Sequence, residues 1–251
     1  MKRIGLIGCG KIGHAILEHV KEYSDVEVVF IQDPSFKATE KDTFSVLTKE
    51  CPASYAKADL IIECATADVL KCYASDALIA APLLTFSVTA FSDDAFCKQM
   101  RALSHNTGHR IYIPHGAVLG LDGIFDGHHI WKSVKIVTTK NPKSLGRNDT
   151  RRTVLYAGPT RQACALFPRN INVHASIALA GIGFDRTESV IVADPAVETN
   201  AHHIYLDGVT THMELIISSL ARGAVSGAYT LQSACGSINR ILQIADELIF
   251  V

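Results

Sequence analysis

Through roughly the first 114 residues, short apolar runs alternate with amphipathic stretches, the pattern of buried parallel strands joined by crossover helices. Arg3 to Ile7 is an apolar run that stops at glycines. Lys11 to Tyr23 then sets Ile12, Ile16, Leu17 and Val20 on one helical face. Val26 to Ile31 is apolar and β-branched, as a strand covered on both faces must be, and Asp33-Pro34 ends it. Leu60 to Cys64 and Pro82 to Val88 read as further buried strands. Ala67 to Ala80 between them has the length and Ala/Leu content of a crossover helix. Asp93 to His105 reads as the next helix and Ile111 to Pro114 as the last strand of this series.

Beyond Pro114 the pattern changes. Gly116, Gly120, Gly123 and Gly127 crowd a segment that cannot be helical throughout. Alternating strands such as Ser133 to Thr139 and Ser189 to Ala193 follow, with a helix from about Val173 to Ala180, which predicts an antiparallel sheet with helices on one face. From Tyr229 to Leu248, Leu231, Ile238, Leu242 and Ile249 recur at near-helical spacing and predict a docked terminal helix. The fold expected is α/β. An N-terminal doubly wound parallel sheet, 1–113 with the C-terminal helix 224–251, precedes a second α+β domain at 114–223.

Composition narrows the class. The chain has 251 residues, 48% hydrophobic and 20% charged, enough to bury two modest cores. Lys and Arg number 24 against 25 Asp and Glu, with no long run of either sign, so neither nucleic acid nor an anionic membrane is an expected partner. Its most apolar later stretch, Ala77 to Val88, contains Pro82 and is shorter than the roughly 20 residues needed to span a bilayer. The seven cysteines include no Cys-x-x-Cys pair, which points to a reducing cytoplasm rather than to disulfides or zinc. His128-His129 lacks neighbours at ligand spacing, so no metal is expected.

The chemistry begins at Gly8-Cys9-Gly10-Lys11-Ile12-Gly13, a dinucleotide fingerprint that follows a strand and opens a helix. Gly8 makes the tight turn, Gly10 admits the pyrophosphate, and Gly13 lets helix and strand pack; Lys11 and Ile12 supply N–H groups at the helix start. Asp33 lies 20 residues beyond Gly13 at the end of the second strand, where its carboxylate can accept from ribose hydroxyls. NAD is the expected cofactor. Lys37 leaves room for the 2'-phosphate of NADP.

Further strings carry a family resemblance across most of the chain. They are Glu63-Cys64-Ala65, Thr89-Ala90-Phe91, His115-Gly116-Ala117-Val118, Gly120-Leu121-Asp122, Lys140-Asn141-Pro142-Lys143-Ser144-Leu145-Gly146, Phe167-Pro168-Arg169-Asn170-Ile171-Asn172-Val173, Ala193-Asp194-Pro195 and Asn200-Ala201-His202. In this order the chain resembles the aspartate dehydrogenases, which are distantly similar to the homoserine dehydrogenases. The resemblance implies that Ala117 and Asn172 contact the dinucleotide, that His202 is the catalytic acid/base, and that the protein is a homodimer. It implies reversible oxidative deamination of L-aspartate to oxaloacetate and ammonia through iminosuccinate, a route linked to NAD biosynthesis. Two places depart from the family: His115 stands where Ser is usual, and Arg222-Gly223-Ala224 where an Asn-Pro is usual.

Such chemistry suits a histidine, whose ordinary pKa near 6.5 allows proton exchange in both directions. His203 would point to the opposite strand face from His202. The two substrate carboxylates need cationic or N–H donors, for which Lys140, Lys143, Arg169 and Asn170 are candidates. Of Asn170 and Asn172, one is expected to cap the following helix and Asn172 to reach the cofactor. Alternatives from the same residues are a related reductase of homoserine or a cyclic imine, and a non-catalytic NAD(H)-binding redox sensor.

Overall fold

A computed structural model describes residues 1–40, 42–221, 224–225 and 227–244. The described residues divide into two compact units, 1–114 with 234–244, and 115–233.

In the first unit the elements run β1 (Lys2–Ile7), α1 (Lys11–Val20), β2 (Val26–Gln32), β3 (Ser45–Leu47), α2 (Pro52–Tyr55), β4 (Leu60–Glu63), α3 (Ala67–Ala80), β5 (Leu83–Thr85), α4 (Asp94–Thr107) and β6 (Ile111–Tyr112). All six strands are parallel in the order β3-β2-β1-β4-β5-β6. The chain thus winds outward from β1 in both directions, which makes a topological switch point between β1 and β4. Ile4, Leu6, Ile31, Leu60, Ile62 and Leu84 from the sheet pack with Ile16, Leu17 and Val20 of α1. Each such side chain contributes about 1.5–3 kcal/mol on full burial. Ala234, Ile238 and Leu242 join the same cluster. Ile249, the last member of that periodic stripe, lies outside the described residues.

The strand expected over Pro82 to Val88 ends early. At Ser87 the backbone N–H turns away from the ladder to donate to the Glu63 carboxylate and to Thr85 Oγ1, and Val88–Ser92 is a 3-10 turn.

The second unit holds α5 (Leu121–Asp126), β7 (Trp131–Lys140), β8 (Thr153–Pro159), α6 (Thr160–Leu166), α7 (Asn172–Ala180), β9 (Thr187–Ala193), β10 (Thr199–Gly208) and β11 (His212–Leu220). A final helix, α8 (Tyr229–Leu242), starts in this unit and belongs to the first from Ala234. The five strands form one sheet, β11-β10-β7-β9-β8. It is mixed and not antiparallel as expected: β7 and β9 pair in parallel, because the segment between them passes through β8, α6 and α7 and re-enters at the same end.

Along β7, Val134, Ile136, Thr138 and Lys140 alternate onto one buried face, and along β10 Asn200, His202, Ile204 and Leu206 do the same. The β7–β10 register sets His202 opposite Thr138 and Ile204 opposite Ile136. One end of this face is therefore apolar and the other polar. No described helix has the length and apolarity to cross a membrane.

Candidate active site

At the carboxyl end of β1, Gly8 has φ +86, a left-handed conformation that any Cβ would strain, and a Cβ there would lie 2.6 Å from the Cβ of Ala65. A Cβ at Gly13 would stand 2.7 Å from the Gly8 carbonyl oxygen, so α1 can meet the turn only through glycine. At Gly10 a Cβ would meet nothing and would project into open space. Gly10 caps α1 without a side-chain hydrogen bond, which leaves the first turn, Lys11 and Ile12 included, with amide hydrogens that no side chain covers at the cap. This cradle fits a pyrophosphate.

Asp33, partly exposed at the end of β2, accepts from Cys9 N–H at 2.8 Å through Oδ2 and from Ser35 N–H at 2.8 Å through Oδ1. Its carboxylate is thus tied to the fingerprint turn with lone pairs left for ribose hydroxyls. Cys64 Sγ donates to the Gly8 carbonyl at 3.0 Å, and burial pushes its thiol well up, so it is a structural thiol.

Sequence reasoning passed over Glu63 as a structural group. Fully buried at the end of β4, it accepts from Thr85 Oγ1 (2.6 Å), Ser87 Oγ (2.7 Å), Ala65 N–H (2.8 Å) and Ser87 N–H (3.3 Å). Burial pushes its carboxyl up from the ordinary value while these donors pull it down. The effect is to tie the ends of β4 and β5 together next to the fingerprint turn.

In the second unit His202 is 4% exposed, and His203 is partly exposed on the opposite face. His202 Nδ1 lies 2.8 Å from Thr138 Oγ1, which leaves Nε2 as the nitrogen without a strand partner. Burial, then the Lys140 ammonium and then His203 push the His202 imidazole down to about 3. It is neutral at neutral pH.

Lys140 is 3% exposed and donates through Nζ to the carbonyls of Asn170 and Val225, each at 3.1 Å. Among the described residues no carboxylate pairs with it, and burial pushes its ammonium down to about 8. Asn200 Nδ2 donates to the same Val225 carbonyl at 2.9 Å, while the buried Oδ1 atoms of Asn170 and Asn200 have no partner. One ammonium hydrogen is thus left over, and among the described residues this buried positive charge has no counter-ion.

The other sequence candidates divide. Asn170 joins Lys140 through its backbone. Asn172 is the first residue of α7, with Ile171 at the N-cap, so neither asparagine caps that helix and the expected cap is corrected. Ala117 sits in the turn after His115, partly exposed beside Gly116 at φ +58. Arg169 is exposed in the turn before α7, and Lys143 is exposed in a 3-10 turn after β7. Neither is brought to the buried face by its own element. Arg222 and Gly223 lie outside the described residues. Sequence reasoning missed Thr138, His174, Ser189 and Thr160, all buried beside His202 or linked to it. Strand alternation from Lys140 back to Thr138 was the available signal for the first, and the Ala/Ile composition around His174 for the second.

A parallel sheet in this strand order, bearing this fingerprint and followed by a mixed-sheet unit with a buried histidine, defines the class of Rossmann oxidoreductases that use a nicotinamide dinucleotide. Residues 8–114 match the NAD-binding domain of homoserine dehydrogenase, and residues 126–241 match the aspartate dehydrogenase C-terminal domain. The chain is 32% identical over 247 residues to the L-aspartate dehydrogenase of Nitrosopumilus maritimus, covering 88% of each chain. It is 30% identical over 217 residues to that of Thermotoga maritima, covering 86% of each. The chain belongs to the aspartate dehydrogenase family. A crystal structure of aspartate dehydrogenase from Thermotoga maritima superposes with a TM-score of 0.81 at 28% identity over 100% of both chains. A dihydrodipicolinate reductase from Paenisporosarcina has a TM-score of 0.54 at 15% identity, covering 97% and 96%, a likeness of fold.

Proposed function

We propose that this protein oxidises L-aspartate to oxaloacetate and ammonia through iminosuccinate, reversibly, with NAD as the preferred cofactor. The observation that carries the proposal is the pairing, on one buried sheet face, of a neutral imidazole and an ammonium that has no carboxylate partner among the described residues.

A dicarboxylate suits Lys140, because one substrate carboxylate would supply the missing counter-ion through a charge-assisted hydrogen bond worth about 1.5–3 kcal/mol. The same negative charge would offset the ammonium that depresses His202, so substrate binding raises the affinity of His202 Nε2 for a proton. His202 Nε2 then takes a proton from the substrate ammonium, which frees the nitrogen lone pair. A dinucleotide held by Gly8, Gly10 and Gly13 would supply the acceptor for the hydride of Cα. His202 releases that proton to solvent, then takes one from the water that adds to the imine carbon and returns it to the departing amine. Asn170 Oδ1 and Asn200 Oδ1, both buried acceptors, suit the substrate ammonium. Arg169 and Lys143 remain candidates for the second carboxylate, and Ala117 and Asn172 for the cofactor.

Gly8, Gly10, Lys11, Ile12 and Gly13 would hold the pyrophosphate and Asp33 the ribose. A carboxylate at that position repels a 2'-phosphate, which favours NAD, and Lys37 is the residue that would relieve NADP. The domain roles that follow are dinucleotide binding for 1–113 together with 224–251, and catalysis and homodimer formation for 114–223. The seven cysteines are free thiols, which suits a cytoplasmic enzyme, and the iminosuccinate intermediate suits a role in NAD biosynthesis.

The test is the initial rate of NADH formation at mildly alkaline pH with L-aspartate, D-aspartate, L-glutamate and L-homoserine. Turnover selective for L-aspartate is expected. Turnover of L-homoserine instead, or none except with cyclic imines and NADH, would move the protein to a related reductase. NADH binding without turnover of any of them would make it a sensor.

A further inference from the structure

Five side chains from five elements form one buried chain that starts at His202. His202 Nδ1 is 2.8 Å from Thr138 Oγ1, which is 2.6 Å from His174 Nε2. His174 Nδ1 is 2.8 Å from Ser189 Oγ, and Ser189 Oγ is 2.7 Å from Thr160 Oγ1. Thr160 Oγ1 donates at 3.0 Å to the backbone carbonyl of Thr187. Thr138, His174, Ser189 and Thr160 are each no more than 1% exposed, so water does not supply alternative partners to them cheaply.

The direction of every hydrogen in this chain follows from its last link. A carbonyl oxygen only accepts, so Thr160 spends its single hydroxyl hydrogen on Thr187. Thr160 Oγ1 must then accept from Ser189, whose hydrogen is used in turn. Ser189 Oγ accepts from His174 Nδ1–H. The neutral His174, held far below its ordinary pKa by burial, therefore has a bare Nε2. That nitrogen accepts the Thr138 hydroxyl hydrogen, and Thr138 accepts from His202 Nδ1–H. The reverse polarity loses the link to Thr187, and every mixed polarity empties another link.

We infer that Thr138, His174, Ser189 and Thr160 are positioning residues that hold the His202 proton on Nδ1 and so present Nε2 as the bare, proton-accepting nitrogen. The inference rests on the reading of His202 as the base and deepens it. When Nε2 takes a proton, Nδ1–H stays on Thr138, and no other group in the chain has to turn. In the other tautomer Nε2 would already carry hydrogen and could accept nothing.

The experiment is a two-bond 1H–15N correlation spectrum of the 15N-histidine-labelled protein at pH 7.5, assigned with His202→Gln and His174→Gln. Both His202 and His174 are expected as Nδ1–H tautomers with unprotonated Nε2. Ser189→Ala removes the acceptor for His174 Nδ1–H. It should let both rings switch to Nε2–H and lower kcat about tenfold or more, up to the 10²–10⁴ typical of acid/base catalysis. KM for L-aspartate should stay within a few-fold, and Ser189→Thr should restore tautomer and kcat. A wild-type His202 carrying hydrogen on Nε2 overturns the inference, whether or not any variant folds. So does a Ser189→Ala protein with unchanged His202 tautomer and full kcat. Full turnover by His202→Gln would instead remove the base assignment while leaving the tautomer result intact.

Discussion

Because His202 is buried and held near 3, folding excludes a proton that the unfolded chain accepts at about 6.5. Between these values the unfolded state binds more protons, so stability is fully present above about pH 6.5 and is lost as pH falls toward 3. At pH 5 the loss from this one group amounts to about 2 kcal/mol, and it approaches about 1.4 kcal/mol per pH unit. His174, depressed by burial and by the neighbouring His202 and Lys140, acts with the same sign. Trp131 is the sole tryptophan, buried in β7 of the same sheet, so its fluorescence follows unfolding of this unit. Urea unfolding of wild type and His202→Gln at pH 7.5 and pH 5 gives a double difference in which the titrating groups remote from His202 cancel. Wild type should lose about 2 kcal/mol more than the variant between the two pH values. Equal losses would refute the reasoning, because they would mean that the folded protein protonates His202 as freely as the unfolded chain does.

Lys140→Met keeps the apolar stem and removes the ammonium, so kcat/KM for L-aspartate should fall about 10- to 150-fold, the equivalent of one charge-assisted hydrogen bond; steady-state rates check this, and an unchanged value would detach Lys140 from the substrate. Asp33→Ala should weaken NAD more than NADP in a fluorescence titration, and equal losses would remove Asp33 from the ribose site. Each Glu63 oxygen accepts from one backbone N–H, of Ala65 or of Ser87, so the amide nitrogen of Glu63→Gln sets a donor against a donor and the first unit should lose about 1–3 kcal/mol. Hydrogen exchange of the β4 and β5 amides measures it; a change within about 0.5 kcal/mol would mean that the carboxylate ties nothing.

How far the sequence could be read depended on how local each feature is. The fingerprint, its preceding strand and its helix occupy adjacent residues, and the apolar runs at Val26 to Ile31 and Leu60 to Cys64 announce buried parallel strands directly. The partner of a strand in the second unit is not local. The parallel pairing of β7 with β9 depends on where two intervening helices return the chain, so periodicity alone suggested an antiparallel sheet. The groups around His202 were hidden for the same reason. Thr138, Thr160, His174 and Ser189 come from separate elements, and single Ser or Thr residues carry no pattern. The β7–β10 register sets Thr138 against His202, the β7–β9 pairing brings in Ser189, and α6 and α7 carry Thr160 and His174 to them. Lys140 was legible as a cation but not as a buried one, although its alternation with Ile136 and Thr138 points inward.

The most direct test of the account compares wild type with His202→Ala in initial-rate assays with L-aspartate and NAD, alongside NADH binding by fluorescence. The account predicts that kcat falls about 10²–10⁴-fold while the NADH dissociation constant stays within a few-fold, because His202 moves protons and does not hold the dinucleotide. A variant that turns over L-aspartate within a few-fold of wild type would contradict it.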